Sequence, residues 1–215
     1  MPAHGPPDEY DFIIVGAGPA GCALASTIAT SAAAPNVLLI EAGGCNDDVR
    51  LRIAAHRHLH FKNPSLAWGY KSAPEENLHN RELDLDRGKG LGGSSAVNFM
   101  VWTEGPQDDM DRMAKLTGDS CWEWERVKER YARLTARDSD PDDARRNPGP
   151  LRLELLGADD PELDRLIRLF SANGVPILEN TNDGSPLGIG IYPSTSYQGR
   201  RSIIQWHQCD GHHHS

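Results

Sequence analysis

A glycine-rich segment with short polar side chains, residues 87–105, is the part of the sequence best suited to bind a ligand. Four of its glycines fall within six positions, and Ser94, Ser95 and Asn98 follow them directly. Glycine leaves the backbone unobstructed and lets it adopt positive φ, so a ligand can approach the peptide groups closely. Backbone amides combined with short hydroxyl and amide side chains suit an anion. The segment therefore predicts an anion-binding loop.

A second glycine motif lies near the N-terminus, between two predicted strands. The apolar run 10–15 predicts a buried parallel strand, and it leads directly into a complete G-x-G-x-x-G at 16–21. A helix of small residues is expected over 22–33, and a second strand over 36–40. Glu41 stands at the end of that strand, about 20 residues after the third glycine, as this type of motif requires.

The spacing of this motif predicts a parallel α/β unit that binds a dinucleotide. Gly16 suits the tight turn, Gly18 suits the close approach of a pyrophosphate, and the N-terminus of the helix favours its negative charge. Glu41 is placed to accept hydrogen bonds from ribose hydroxyls. Nicotinamide and flavin dinucleotides share this unit, so the motif does not choose between them. The alternative is a glycine-rich turn that binds nothing.

Taken together, the two glycine segments resemble those of the glucose–methanol–choline (GMC) oxidoreductases, flavoenzymes that oxidise alcohols. The resemblance covers residues 10 to 202, and the family's first signature is matched throughout from 88 to 111. The matching residues are Gly88, Lys89, Leu91, Gly92, Gly93, Ser94, Ser95, Val97, Asn98, Trp102, Gly105 and Asp111. The implied fold is α/β, a partial Rossmann-like FAD-binding domain with the start of an α+β substrate domain.

The resemblance implies a FAD site built from both glycine segments. Some members attach the flavin through a histidine just before the asparagine of the signature. Val97 occupies that position here, so noncovalent FAD is expected. The residues expected to contact the cofactor are Gly16, Gly18, Pro19, Ala20, Gly21, Glu41, Ala42, Arg87, Gly90, Gly92, Gly93, Ser94, Asn98, Phe99, Met100 and Val101. Residues 68–70 resemble the family's segment that leads to the flavin-covering loop, with aromatic packing under a loop as the alternative.

Three segments are predicted along the chain. Residues 1–137 are expected to form the FAD-binding domain with its flavin-covering loop, and 138–202 the beginning of the substrate-binding domain. The boundary falls in a polar, proline-rich stretch at 137–150. Residues 203–215 no longer follow the family pattern, and we expect them to be an aberrant tail that follows a truncation.

No catalytic residue is identified in the sequence. Family members run to more than twice this length, and their catalytic histidine, paired with a second histidine or an asparagine, lies near the C-terminus. His207 matches neither position. The resemblance implies oxidation of a small-molecule alcohol by hydride transfer to flavin in an intact relative, with a complementing polypeptide as a partner of this chain. The alternative is a non-catalytic remnant that binds FAD or a partner.

Composition excludes several other classes of function. A formal net charge of −9 argues against nucleic acid and anionic membrane surfaces as partners. No apolar stretch approaches the ~20 residues of a spanning helix, and the polar N-terminus does not resemble a signal peptide; a cytoplasmic location is expected. Four scattered cysteines suggest neither disulfides nor zinc. His56, His58 and His60, on a helix expected over 50–62, are predicted to form a solvated face rather than a metal site.

Two further helices are predicted in the second half of the chain. The first spans 124–137, where apolar residues recur at helical spacing. The second begins at Asp160-Pro161, buries a stripe that includes Leu166 and Phe170, and ends at Gly174 in a left-handed conformation. The turn-rich segment 180–184 either lines the substrate side, as the resemblance implies, or is an ordinary Asx-rich turn, which we favour.

Overall fold

The computed structural model describes residues 9–60, 63–137, 149, 151–185 and 187–203. Apart from Ile203, the predicted C-terminal tail lies outside these residues, as does nearly all of the proline-rich stretch that follows Arg137. The chain divides into two compact units. The first contains the described residues up to Phe99 together with Ile203, and the second runs from Met100 to Ser202. The predicted domain division at 137 stays a prediction.

The first unit begins with the expected parallel β-α-β arrangement. Strand β1 (Phe12–Val15) pairs in parallel with β2 (Val37–Ile40), and helix α1 (Pro19–Ala29) connects them. The helix begins three residues earlier than predicted because Gly18 is its N-cap and Pro19 occupies the first turn, where the missing N–H of proline costs nothing. The sequence therefore predicts both strands and the crossover correctly.

The rest of the first unit contains little regular structure. Helix α2 (Val49–Arg52) is a single turn, followed by a 3-10 turn at Ala54–His56, so the longer helix expected over 50–62 is wrong in extent. Its end is marked by Ile53, which is extended. Residues 67–88 form an irregular hairpin with antiparallel bridges Ala67↔Gly88, Lys71↔Asp84 and Glu75↔Arg81. The buried residues of this unit are mostly small: Ala17, Cys22, Ala25, Leu51, Ala54, Ala67, Ala96 and Val97.

Within the described residues, the second unit contains three α-helices, one parallel strand pair and one antiparallel strand pair. Helices α3 (Gln107–Thr117) and α4 (Trp124–Leu134) precede strand β3 (Thr135–Arg137), which pairs in parallel with β4 (Leu151–Leu153). Helix α5 (Pro161–Ala172) follows. Strands β5 (Ser196–Tyr197) and β6 (Arg200–Arg201) are antiparallel. The predicted helix 124–137 ends three residues early because its last three residues pair with β4 instead.

Helix α5 has the predicted ends but not the predicted burial. The Asp160 carboxylate caps it by accepting a hydrogen bond from the Glu162 amide at 2.9 Å, and Gly174 follows it with φ +85°. The stripe expected to be buried is nevertheless open, since Leu166 is 45% and Phe170 43% exposed. Periodicity predicts which face of a helix is apolar; it does not predict that another element covers that face.

The β1–β2 sheet exposes an apolar face on the side away from α1. Ile14 faces the helix, because a Cβ on Gly21 would lie 3.6 Å from its Cγ2 atom. Side chains alternate along a strand, so Ile13 and Val15 point the other way, and they are 63% and 82% exposed. Their parallel partners Leu38 and Ile40 share that side. Parallel sheets are normally covered on both faces, so this outer face, defined as Ile13, Val15, Leu38 and Ile40, is an unusual exposed apolar surface.

None of the helices in the described ranges is both long and apolar enough to cross a membrane.

We expect the outer face to bind a hydrophobic dye, because contiguous exposed apolar surface is what such dyes recognise. Val15→Thr should lower the fluorescence of bound anilinonaphthalene sulfonate. Val49→Thr is the matched control, since Val49 is 66% exposed but lies on α2, outside the face. Equal dye binding by the native protein, Val15→Thr and Val49→Thr would contradict the conclusion that the dye binds to the outer face.

Candidate FAD-binding site

The first glycine turn joins β1 to α1 in the geometry that the sequence predicts. Gly16 has φ +96°, which a residue with a side chain rarely adopts, and its N–H donates to the Ile40 carbonyl at 2.7 Å. Gly18 then caps α1 without a side-chain hydrogen bond, and the first turn of α1 carries no acidic residue. The N-terminus of α1 therefore presents its partial positive charge without a competing side chain.

Gly18 and Gly21 have different structural reasons to be glycine. A Cβ on Gly18 would meet no atom within 4 Å, whereas a Cβ on Gly21 would lie 1.9 Å from the Gly16 carbonyl oxygen. Gly21 thus permits close packing of helix against strand. Gly18 borders open space, which is what a group approaching the backbone at the helix N-terminus needs. This fits a pyrophosphate and agrees with the roles predicted from the spacing.

The second glycine segment packs directly against the first. The Gly92 N–H donates to the Ala17 carbonyl at 2.8 Å, and a Cβ on Gly93 would lie 2.8 Å from the Gly18 Cα atom. Residues Gly93–Ala96 form a 3-10 turn, in which the Ser94 hydroxyl accepts a hydrogen bond from the Gly88 amide at 3.1 Å. Two motifs about 70 positions apart in sequence therefore form one surface.

A third loop, residues 41–46, completes the arrangement, and sequence reasoning missed most of it. The Leu91 N–H donates to the Gly44 carbonyl at 2.9 Å. The Asn46 side chain, which is 7% exposed, donates to the carbonyls of Lys89 at 3.2 Å and Leu91 at 2.9 Å. The available signal was a pair of glycines followed by an asparagine directly after a strand, a combination typical of a chain reversal.

Glu41 lies at the point where these three loops meet. Its Oε2 atom accepts from the Ala17 N–H at 2.7 Å. Its Oε1 atom accepts from the N–H groups of Gly43 at 3.0 Å and Gly90 at 2.9 Å. Partial burial raises the pKa of Glu41, but hydrogen bonds from the amides of Ala17, Gly43, Gly90 and Ala42 together lower it below its ordinary value. Glu41 is therefore a carboxylate at neutral pH.

The structure brings most of the predicted cofactor residues of the first unit together. The two glycine segments, with Glu41, Ala42 and Ser94, belong to the contacting loops described above. Arg87 is exposed and donates to the adjacent Asp86 carbonyl at 2.8 Å. Phe99 is 45% exposed and lies 5.3 Å, between ring centroids, from His58. The contacts of all these residues with the cofactor stay a prediction.

Met100 and Val101 belong to the second unit. Met100 is 1% exposed, and its carbonyl accepts from the Thr195 N–H at 2.7 Å. Val101 is 62% exposed and forms a bridge with Ser194. Their predicted contacts with the cofactor stay predictions.

An aromatic pair borders the second glycine segment. Trp68 and Tyr70 stack with their ring centroids 5.7 Å apart and their planes 4° from parallel. The Lys89 ammonium lies 4.8 Å from the centre of the Trp68 ring, within the range of a cation–π interaction. Both rings stay about half exposed, at 43% and 50%. This arrangement agrees with aromatic packing and leaves the flavin-covering role a prediction.

The histidine-rich stretch is not a uniformly solvated face. His60 is 8% exposed, and its Nε2 atom lies 3.0 Å from the Arg50 carbonyl oxygen. His58 contacts Phe99. Across the part of the chain that the structure describes, no group of three or more histidine, cysteine, aspartate or glutamate side chains is arranged to hold a metal ion.

The segment 180–184 of the second unit forms the Asx-rich turn favoured above. The Asn180 side chain accepts from the Asn182 N–H at 3.1 Å, and that of Asp183 accepts from the Ser185 N–H at 2.8 Å. Asn182 is 3% exposed, and its side-chain oxygen accepts from the Glu104 N–H at 2.9 Å. Asn182 therefore has a structural role, and a part in lining the substrate side stays a prediction.

The chain is similar in sequence to curated flavoenzymes. Residues 10–206 match the GMC oxidoreductase family. The oxygen-dependent choline dehydrogenase of Stenotrophomonas maltophilia (strain K279a) is 35% identical over 199 residues, an alignment that covers 91% of this chain and 35% of that protein. The corresponding protein of Sinorhizobium medicae (strain WSM419) is 32% identical over 193 residues, with coverages of 90% and 35%. The chain thus spans about 35% of the length of these relatives.

Solved structures give the same result. The pyridoxine 4-oxidase from Mesorbium loti superposes with a TM-score of 0.81 at 27% identity, covering 91% of this chain and 38% of that one. A formate oxidase superposes with a TM-score of 0.80 at 26% identity, covering 94% and 37%. Together with the joined glycine segments, these similarities show that the chain belongs to the GMC oxidoreductase family, whose cofactor is FAD, and that it forms part of a Rossmann-like FAD-binding fold.

Proposed function

We propose that this chain holds FAD noncovalently as the cofactor-binding part of an enzyme that oxidises the CH–OH group of a small alcohol. The observation that carries the proposal is the contact between the two glycine segments beside Gly18, where a Cβ would meet no atom within 4 Å. Gly18 is also the N-cap of α1, where no side chain forms a capping hydrogen bond. Backbone amides and a helix dipole there favour a pyrophosphate over a neutral ligand.

The residues proposed to hold each part of FAD follow from this geometry. Pro19, Ala20 and Gly21, in the first turn of α1, would lie against the pyrophosphate with Gly18. Glu41 would accept hydrogen bonds from ribose hydroxyls, with Ala42 beside it. The second segment would run along the pyrophosphate and the flavin through Arg87, Gly90, Gly92, Gly93, Ser94, Asn98, Phe99, Met100 and Val101.

Noncovalent binding is proposed because Val97 occupies the position of the attachment histidine. Val97 is 4% exposed, and its aliphatic side chain offers no nucleophile to the flavin ring. The neighbouring Ala96 is fully buried and equally unreactive.

Alcohol oxidation is proposed for the enzyme of which this chain supplies the cofactor-binding part. FAD, when bound, supplies a hydride acceptor for the carbon being oxidised. A general base must also take the hydroxyl proton, and we assign that role to no histidine in the described ranges. We place the base in the portion of the relatives that this chain does not span. Choline, named for one set of relatives, is the first substrate to test.

A FAD-binding protein without catalysis is the second candidate. It is favoured by the lack, among the described residues, of a residue to which we assign the base. Both candidates require the same FAD site and differ only in what happens when an alcohol is added.

Acid denaturation should release the cofactor. When the full chain loaded with FAD is precipitated with acid, the yellow colour should appear in the supernatant, because no covalent bond retains it. A coloured pellet would contradict noncovalent binding, and a nicotinamide cofactor in the supernatant would contradict FAD.

Substitution of two glycines should separate cofactor binding from stability. Gly18→Val should weaken FAD binding by more than about tenfold, as measured by isothermal titration calorimetry, because its side chain would fill the space proposed for the pyrophosphate. Its thermal unfolding should remain close to that of the native protein, since Gly18 has φ −72° and open space beside it. Gly21→Ala should instead destabilise the fold by about 1–3 kcal/mol, because its Cβ would overlap the Gly16 carbonyl. Native FAD affinity in Gly18→Val would place the cofactor elsewhere.

Anaerobic mixing with choline should separate the two candidate functions. The chain loaded with FAD should not lose its visible flavin absorbance when choline is added. Absorbance should be lost when a second polypeptide, containing the part of the Stenotrophomonas maltophilia relative that lies beyond the aligned region, is also present. The relative's intact enzyme is the positive control. Persistent absorbance with the second polypeptide present would favour the non-catalytic candidate.

A further inference from the structure

The Glu41 carboxylate connects three loops that are distant in sequence. Ala17 belongs to the first glycine turn, Gly43 to the loop after β2, and Gly90 to the second glycine segment. Their N–H groups lie 2.7, 3.0 and 2.9 Å from the Glu41 oxygens. Ala17 and Gly90 are 24 and 49 positions from Glu41. One side chain therefore holds donors from both halves of the cofactor site.

The chemistry of these contacts suits a carboxylate and no neutral side chain. Three N–H donors need an acceptor with several lone pairs and no hydrogen of its own, and an ionised carboxylate provides about four such sites. Hydrogen bonds to an ionised group are also stronger than neutral ones. Ribose hydroxyls would have to share a group that the backbone already occupies. Glu41 therefore holds the loops whether or not a ribose is bound.

The charge state of Glu41 is set mainly by its backbone partners. Burial raises its pKa, and the amides of the contacting loops lower it by more. No titratable side chain is among the causes of this shift, although Cys45 lies in the loop 41–46, Asp47 directly follows it, and Lys89 lies in the second glycine segment. Because the pKa of Glu41 is lowered, its hydrogen bonds stabilise the folded protein fully above the ordinary pKa of 4.5. This stabilisation is lost as the pH falls through the lower pKa that Glu41 has in the folded protein.

We propose that Glu41 is a positioning residue, which fixes the two glycine segments against each other before any ligand binds. FAD then meets a preformed site, and less of its binding free energy is used to order the loops. The expected effect of Glu41 on FAD affinity rests on the proposed FAD function. Its expected effect on the order of the loops in the ligand-free protein does not.

Hydrogen exchange of the ligand-free full chain tests the inference independently of FAD. Glu41→Gln keeps the size of the side chain but turns one acceptor into a donor that faces another donor. The amides of Ala17 and Gly90 should exchange about tenfold faster, or more, in this variant. The matched control is Glu82→Gln, on the exposed hairpin, which should leave both amides unchanged. Unchanged exchange in a folded Glu41→Gln protein would overturn the proposal.

A pH series of the native protein gives the same test without a substitution. After correction for intrinsic exchange, protection of the Ala17 and Gly90 amides should be constant above pH 4.5, the ordinary pKa of the group, and should fall as the pH drops below it. Protection that is independent of pH over this range would also overturn the proposal.

Two nucleotides distinguish positioning of the loops from simple ribose binding. Adenosine diphosphate carries the ribose hydroxyls and its 2′,3′-dideoxy analogue does not. If Glu41 positions the loops, Glu41→Gln should weaken the analogue by about tenfold, and adenosine diphosphate by at least as much. If Glu41 only binds ribose, the variant should weaken adenosine diphosphate and leave the affinity of the analogue unchanged, which would overturn the proposal. If neither nucleotide binds the native chain, the FAD function fails, and the exchange measurements alone decide the role of Glu41.

Discussion

Close approach of backbone to backbone is the constraint on which the cofactor-binding unit depends. A Cβ on Gly43 would lie 2.4 Å from the Gly90 nitrogen, and one on Gly88 would lie 2.2 Å from the Gly93 oxygen. Atoms at these distances overlap, so a side chain at either position would force the loops apart. These glycines therefore allow the loops to pack against one another, as well as allowing a ligand to approach the backbone. The site exists because three stretches of bare backbone can touch.

The contacts between these loops bring backbone N–H donors close together, and one carboxylate accepts hydrogen bonds from them. Several N–H groups converge where the loops meet, and partly buried donors must be paired. Glu41 pairs with three of them, and the Asn46 amide donates to the carbonyls of Lys89 and Leu91 in the second segment. Both polar side chains come from the loop after β2. Through these hydrogen bonds, that short loop links the first glycine turn to the second glycine segment.

Packing of the sheet is less complete than packing of the loops. Helix α1 covers one side of β1 and β2, and on the other side Val15 is 82% exposed. The first unit thus combines closely packed loops with an open apolar face. In the relatives, of which this chain spans about 35%, a much longer polypeptide is present.

Local signals in the sequence determined the strand–helix–strand unit, the tight turn at Gly16, and the ends of helix α5. Each depends on a few neighbouring residues: an apolar run, a glycine spacing, or an Asp-Pro start and a glycine end. The two glycine motifs also predicted the family, because their order and separation are specific. In the same way, the Asx-rich turn at 180–184 was predictable, since its hydrogen bonds span only two residues.

Tertiary structure alone decided where Glu41 and Asn46 bind, how the glycine segments meet, and which apolar surfaces stay open. The sequence placed Glu41 at a strand end facing a ribose, but its partners at Ala17 and Gly90 arise from contacts between distant loops. Likewise, the apolar stripe of α5 was predicted to be buried, and Leu166 and Phe170 are nearly half exposed. Burial and long-range hydrogen bonds depend on which segments meet in space. Residue type and local periodicity do not specify which distant segments come into contact.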